Sequence, residues 1–193
     1  MIVVLLSDHG EMGGSHNVMA KQFPFEESIG IPFVVFDPSA KDRAGAFVDD
    51  PVSTEDLYPT LLGLCGITPK QKIPGENLAP LIKGDCSSLD GEGVLIEFVS
   101  EHRAQMSFHR NTWRGIRTRN YKYSVLGGAD GGKPWQFYDL VNDPHEMQNL
   151  INNSQYLAEI SRHHLLRRNL LVDTEDHYSL CVTYKFKSLN LLS

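Results

Sequence analysis

The sequence is poor in cysteine, has no long apolar run and carries no excess of positive charge. Its three cysteines, Cys65, Cys86 and Cys181, form an odd and sparse set that excludes a disulfide framework, and no pair has the spacing of a zinc site. No apolar run approaches the ~20 residues that span a bilayer, so we expect no membrane association. The net charge of −6 argues against a nucleic acid partner, because phosphate binding needs a basic surface.

The beginning of the chain also lacks the features of a signal peptide. Met1 is followed directly by the apolar residues 2–6, without a basic leader or a small-residue cleavage site. Sparse unpaired thiols are typical of a reducing compartment. We therefore expect a cytoplasmic protein, unless an export signal precedes this stretch.

What the sequence does contain is typical of a globular α/β protein. Hydrophobic residues make up 41% of the chain and charged residues 22%. Residues 2–6 and 32–36 are continuous apolar runs of the kind found in parallel strands that are buried on both faces. These runs predict part of a mainly parallel sheet with flanking helices.

A helix is predicted shortly after the second run. Residues 53–56, Ser-Thr-Glu-Asp, provide the hydroxyl cap and early acidic residues of a helix start. The helical repeat then places four apolar side chains on one face: Leu57, Leu61, Leu62 and Cys65.

The pattern changes after residues 84–93, which are rich in Gly, Ser and Asp and indicate a boundary. Beyond it, four short runs separated by polar turns predict a small antiparallel sheet: residues 94–99, 113–117, 121–125 and 136–138. Ser154 can cap a helix over residues 155–171, with Leu157, Ile160 and Leu165 facing inward. We therefore expect a first domain at 1–90, a second at 91–171 and an unassigned tail at 172–193.

The chemistry is concentrated directly after the first run. Asp8 and His9 stand side by side at its end, and ligands of open α/β sheets bind at the carboxyl ends of strands. A carboxylate and an imidazole can both bind one cation, and Gly10 allows the backbone to turn sharply beneath it. Lys21 follows after a glycine-containing loop, so that its amine can fold back over the same strand end.

Several ordered motifs resemble the type I sulfatases of the alkaline phosphatase superfamily, over about residues 1–171. The first is S-D-H-G-E-M-G-G-S-H at residues 7–16, followed by Lys21 and by F-E-E-S-I-G-I-P at residues 25–32. The later ones are D-L-Y-P-T-L-L at residues 56–62, F-Y-D-L at 137–140 and N-D-P at 142–144 with Glu146. The resemblance implies a sulfuric ester hydrolase, with residues 1–90 as the C-terminal part of the catalytic core and 91–171 as the antiparallel C-terminal subdomain.

By this resemblance Asp8 and His9 are metal ligands, with His9 at a position where many members have Asn. The cation implied is calcium, with manganese as an alternative. Lys21 is the implied catalytic and substrate-binding residue, which holds sulfate oxygens and stabilises the leaving oxygen. The implied substrate is a small-molecule sulfate ester.

The nucleophile of the family is missing from this sequence. The family forms a formylglycine from the cysteine of a Cys-x-Pro-x-Arg motif, and none of the three cysteines has that setting. Two further metal-binding aspartates that precede residue 2 in the family are absent as well. We therefore expect a fragment that is inactive alone and that pairs with the missing N-terminal segment or with copies of itself. The alternatives are a phosphonate or phosphate ester hydrolase of the same superfamily, or a non-catalytic interaction module.

Overall fold

The computed structural model describes residues 1–99, 112–127 and 133–176. These residues form two compact units, one comprising Met1–Val94, Arg117–Tyr121 and Asp139–Met147, and the other the remaining described residues. Within the described ranges, no helix is both long enough and apolar enough to cross a membrane. The described part of the chain contains four α-helices: α1 (Glu26–Ile29), α2 (Leu57–Leu64), α3 (Ala79–Lys83) and α4 (Leu157–Asp173).

The first sheet consists of β1 (Val3–Leu6) and β2 (Phe33–Phe36), which pair antiparallel with Val3 opposite Phe36 and Leu6 opposite Phe33. The prediction of a mainly parallel sheet is therefore not confirmed, since the described residues form only antiparallel sheets. The segment that connects the two strands leaves β1 at Leu6 and enters β2 at Phe33, which is paired with Leu6 at the same end of the sheet. A parallel pair would need a crossover to the opposite end.

The two apolar runs are also not buried on both faces. Side chains alternate between half-buried and exposed along both strands. The outward side chains are 45 to 62% exposed and pair across the two strands to form one continuous surface: Val3, Leu5, Val34 and Phe36. We call this surface the apolar face.

The predicted hydroxyl cap at Ser53 is confirmed, and it forms part of a capping box. The Ser53 hydroxyl accepts a hydrogen bond from the Glu55 amide, and the Asp56 carboxylate accepts one from the Ser53 amide at 2.7 Å. The three leucines predicted on one face of α2 are half-buried and Cys65 is exposed, whereas the buried residues of α2 are Pro59, Thr60 and Leu64. Thr60 is accommodated because its hydroxyl accepts a hydrogen bond from the Leu78 amide at 2.9 Å.

The second sheet has the four predicted strands, in the order β3 (Gly93–Phe98), β4 (Trp113–Thr118), β5 (Tyr121–Leu126) and β6 (Lys133–Asp139). It is antiparallel, as expected. The chain thus has a mixed α/β fold with antiparallel sheets.

The long helix α4 follows a 3-10 turn at Ser154–Tyr156 that is capped by Asn153, one residue before the predicted cap. Its buried stripe is Ile160, His163, Arg167 and Leu171, whereas Leu165, predicted to face inward, is 52% exposed. Helix α4 extends to Asp173 and so includes the first two residues of the unassigned tail at 172–193. Residues 177–193 lie outside the described residues.

Candidate functional site

Asp8 and His9 follow β1 directly, at its carboxyl end, as the sequence predicts. The turn is held by local hydrogen bonds: the Ser7 hydroxyl donates to the His9 carbonyl at 2.9 Å, and the His9 amide donates to the Asp8 carboxylate at 3.0 Å. The short polar side chains therefore fix the direction in which the chain leaves the strand.

The ring of His9 is oriented by its own backbone. Its Nδ1 lies 2.7 Å from the Gly10 carbonyl, which can only accept, so Nδ1 carries the proton in the neutral ring. In that tautomer Nε2 carries no proton and can accept a hydrogen bond or bind a metal; it lies 3.4 Å from Asp8 Oδ2. A histidine that ligates a metal commonly has its other ring nitrogen held in this way by a carbonyl or carboxylate.

Lys21 reaches the same place. Its Nζ contacts His9 Nε2, so the amine lies at the Asp8–His9 cluster as the sequence predicts. The residues on either side, Ala20 and Gln22, have positive φ values of 67° and 97°, which bend the chain sharply around the lysine. The structure thus brings all three predicted site residues together, while their chemical roles stay predictions.

Helix α1 supports the loop between Asp8 and Lys21 at two points. The Gly10 amide donates to the Ser28 carbonyl at 2.9 Å, and the Gln22 amide donates to the Ser28 hydroxyl at 3.2 Å. Gly10 passes so close to α1 that a Cβ on it would overlap the Glu27 carbonyl oxygen. The sequence motif contains Ser28, but no pattern in the sequence indicates that it holds both ends of the site.

His16 packs beside this loop. Its ring stacks on Phe25 with a centroid distance of 3.9 Å, and its Nε2 lies 3.8 Å from the Glu27 carboxylate. These contacts support the structure of the loop.

The electrostatics of the cluster suit a cation in part. The pKa of Asp8 is lowered, first by a hydrogen bond from its own backbone amide and then by the charge of His9, so the carboxylate is ionised at neutral pH. Asp8 is also largely exposed and therefore accessible to an ion. Within the described residues, no group of three or more His, Cys, Asp or Glu side chains is placed to hold a metal ion. Asp8 and His9 thus fit as two ligands of a site that needs more.

Comparison with known proteins supports the resemblance. The family model described as N-sulphoglucosamine sulphohydrolase, C-terminal, matches residues 14–173. The ulvan-active sulfatase of Formosa agariphila is 34% identical over 157 residues, which are 80% of this chain and 29% of that protein. The arylsulfatase of Clostridium perfringens is 31% identical, over 90% of this chain and 34% of its own length. The chain therefore spans about a third of the length of these relatives.

The fold of the chain is also similar to that of solved structures of such hydrolases. A 2-O GAG sulfatase has a TM-score of 0.79 at 29% identity, covering 92% of this chain and 37% of its own. The phosphonate monoester hydrolase of Agrobacterium radiobacter has a TM-score of 0.72 at 26% identity, covering 93% of this chain and 36% of its own.

Proposed function

The chain belongs to the sulfatase family, of which it matches the C-terminal part, and we propose that it contributes Asp8, His9 and Lys21 to the active site of a sulfuric ester hydrolase. The observation that carries this proposal is the convergence of a carboxylate, an imidazole nitrogen and an ammonium group at the end of β1. The proposed substrate is a small-molecule sulfate ester.

Asp8 and His9 are the proposed ligands of a divalent cation, calcium or manganese. A carboxylate oxygen of Asp8 and Nε2 of His9 lie 3.4 Å apart, a spacing that lets both reach one ion. The cation would polarise the sulfate ester. Calcium takes six to eight oxygen-rich contacts, so the remaining ligands must come from elsewhere.

Lys21 is proposed to bind the sulfate and to offset the negative charge that develops on the leaving oxygen. A fixed ammonium group stabilises such charge because it needs no reorientation during the reaction. In the family the nucleophile is a formylglycine, which supplies the hydroxyl that attacks sulfur, and this sequence has no Cys-x-Pro-x-Arg motif to form one. We therefore expect that the chain alone has no sulfatase activity.

The test is an aryl sulfatase assay with calcium or manganese, performed on the chain alone and on a fusion to the preceding segment of a relative that bears Cys-x-Pro-x-Arg. We expect turnover only in the fusion, and its loss in Asp8→Ala and Lys21→Ala. The matched control is Lys70→Ala, an exposed lysine of the same unit. Turnover by the chain alone, or a fusion that tolerates Lys21→Ala, would contradict the proposal.

A second candidate is a phosphonate or phosphate ester hydrolase, favoured by the likeness to the phosphonate monoester hydrolase. Asp8, His9 and Lys21 would also suit this reaction, because a tetrahedral phosphorus centre presents anionic oxygens to a cation and an ammonium group as a sulfate does. Parallel assays of the fusion with an aryl sulfate and an aryl phosphonate separate the two, since the better substrate has the larger kcat/KM.

The apolar face is proposed to pack against the part of the sulfatase fold that the relatives have in addition to the matched third. Contiguous exposed apolar side chains commonly mark an interaction surface. Leu5→Lys should weaken association of the chain with a separately expressed preceding segment in size-exclusion chromatography, whereas Val141→Lys, at a residue that is 66% exposed elsewhere in the same unit, should not. Self-association of the chain that Leu5→Lys abolishes would instead indicate a homo-oligomer, and equal binding by all variants would favour a non-catalytic module with another surface.

A further inference from the structure

Glu146 is a buried carboxylate that neither the motif nor the proposed chemistry explains. It lies after β6, in the same unit as the candidate site, and is 1% exposed. Its φ of 55° is in the left-handed region, which a non-glycine residue adopts at an energetic cost. A strained backbone and a buried carboxylate are both unfavourable unless the surrounding contacts offset their cost.

The Glu146 carboxylate accepts a hydrogen bond from the backbone amide of Glu26, 120 residues earlier in the chain, at 2.7 Å. Glu26 is the first residue of α1, where amides have no partner inside the helix. The preceding residue, Phe25, makes no side-chain cap. Glu146 therefore caps the N-terminus of a helix that is distant from it in the sequence.

The other side of α1 holds the candidate site. Ser28 binds the Gly10 amide through its carbonyl and the Gln22 amide through its hydroxyl. Gly10 is adjacent to His9, and Gln22 is adjacent to Lys21. Because α1 is a single turn of four residues, a displacement at Glu26 is transmitted to Ser28 without a longer helix to absorb it.

We infer that Glu146 is a positioning residue: by capping α1 it sets the distance between His9 and Lys21. This inference rests on the proposed function of those two side chains, but the contact it sets exists without catalysis. A second interaction supports the same helix end, since Arg117 lies 3.4 Å from the Glu26 carboxylate.

The experiment measures the geometry of the isolated chain by NMR. The readouts are the through-space signal between the Lys21 side chain and the His9 ring, and hydrogen exchange of the Gly10 amide. In Glu146→Ala we expect the signal to be lost and the Gly10 amide to exchange roughly tenfold faster, the effect of losing one hydrogen bond to a charged acceptor. Glu146→Gln keeps an acceptor oxygen and should restore both readouts.

The matched control is Asp56→Ala, which removes another buried carboxylate of the same unit that accepts from two backbone amides, those of Ser53 and Glu76. It should lower stability without changing the His9–Lys21 signal. If Glu146→Ala does not fold, Ser28→Ala still tests the path, because it removes the acceptor of the Gln22 amide and should weaken the signal.

The inference is overturned if the signal persists in Glu146→Ala, or in Ser28→Ala where Glu146→Ala does not fold, or if Asp56→Ala abolishes the signal equally. Since no readout uses turnover, a failure of the proposed sulfatase function leaves these results independent of it.

Discussion

Replacing Gly10 by alanine should destabilise the protein through one steric conflict. A Cβ at this position would overlap the Glu27 carbonyl oxygen and would lie 2.9 Å from the Glu27 carbonyl carbon and 3.1 Å from the Gly30 carbonyl oxygen. All three atoms belong to the backbone at α1, so no side chain can rotate away. Either the turn after β1 or α1 must move, and the Gly10 amide then loses its 2.9 Å bond to Ser28.

The expected cost is about 2–3 kcal/mol, which is the upper part of the range for overpacking with a forced backbone shift. For a chain of this size, 1 kcal/mol corresponds to a change of roughly 2–4 °C in Tm, so the midpoint should fall by about 4–12 °C. The backbone of Gly10 is not in the left-handed region, so the cost is steric and does not arise from a disallowed φ.

The assay is thermal unfolding followed by circular dichroism, with Gly91→Ala as the matched control. A Cβ at Gly91 meets no atom within 4 Å and its φ is not positive, so this variant should unfold at the same temperature or slightly higher. The reasoning is refuted if Gly10→Ala and Gly91→Ala have the same midpoint, because the close approach of Gly10 to α1 would then not exist.

Three further predictions concern stability. Burial and then the charges of Arg167 and Arg168 lower the pKa of His164 from 6.5 to about 4. Between these two pH values the unfolded state binds more protons than the folded state, so the free energy of unfolding should fall by roughly 3 kcal/mol as the pH drops from 6.5 to 4. Urea titrations of His164→Gln should show a weaker pH dependence. Ile160→Ala, at a 1% exposed position, should cost about 2–5 kcal/mol, whereas Leu165→Ala should cost less than ~1 kcal/mol in the same titration. Ser53→Ala should lower stability by about 0.5–1 kcal/mol, the effect of losing a helix cap, and an unchanged urea midpoint would contradict this.

Local patterns predicted the elements of the fold but not the pairing of the first two strands. The apolar runs, the capping box at Ser53 and the polar turns of the second sheet are encoded within a few residues each, and the strands and helices were found where these signals lie. The direction of pairing between β1 and β2 depends on where a connection of 26 residues returns, which no local pattern specifies.

The buried face of α4 was predicted less well, because His163 and Arg167 form part of it. His163 lies in the buried stripe of α4 since its Nδ1 is 2.7 Å from the Glu159 carbonyl and its ring packs edge-on against Phe137 at 5.4 Å. Thr60 is buried in α2 for the same kind of reason. A hydrophobic repeat cannot identify a polar side chain whose partner is supplied by the fold.

The candidate site shows the same division. Asp8, His9 and Lys21 are found together because they lie within 14 consecutive residues and a recognisable motif. Glu146 belongs to a later motif that gave no reason to connect it with α1. Its contribution depends on a contact across 120 residues, which only the structure provides.

The charges of Asp8 and Lys21 explain why the geometry of the cluster and the proposed cation binding should be separable. Asp8 contributes one negative charge and Lys21 one positive charge to the cluster. These two charges offset one another, and the ammonium group of Lys21 lies against Nε2 of His9, the nitrogen that we propose as a cation ligand. Divalent cations bind in proportion to the number and charge of their oxygen ligands. Further carboxylates would have to offset the positive charge of Lys21 before a cation binds. The hydrogen bonds from Ser28 of α1 do not depend on a cation, so they can hold the residues next to His9 and Lys21 in place without one.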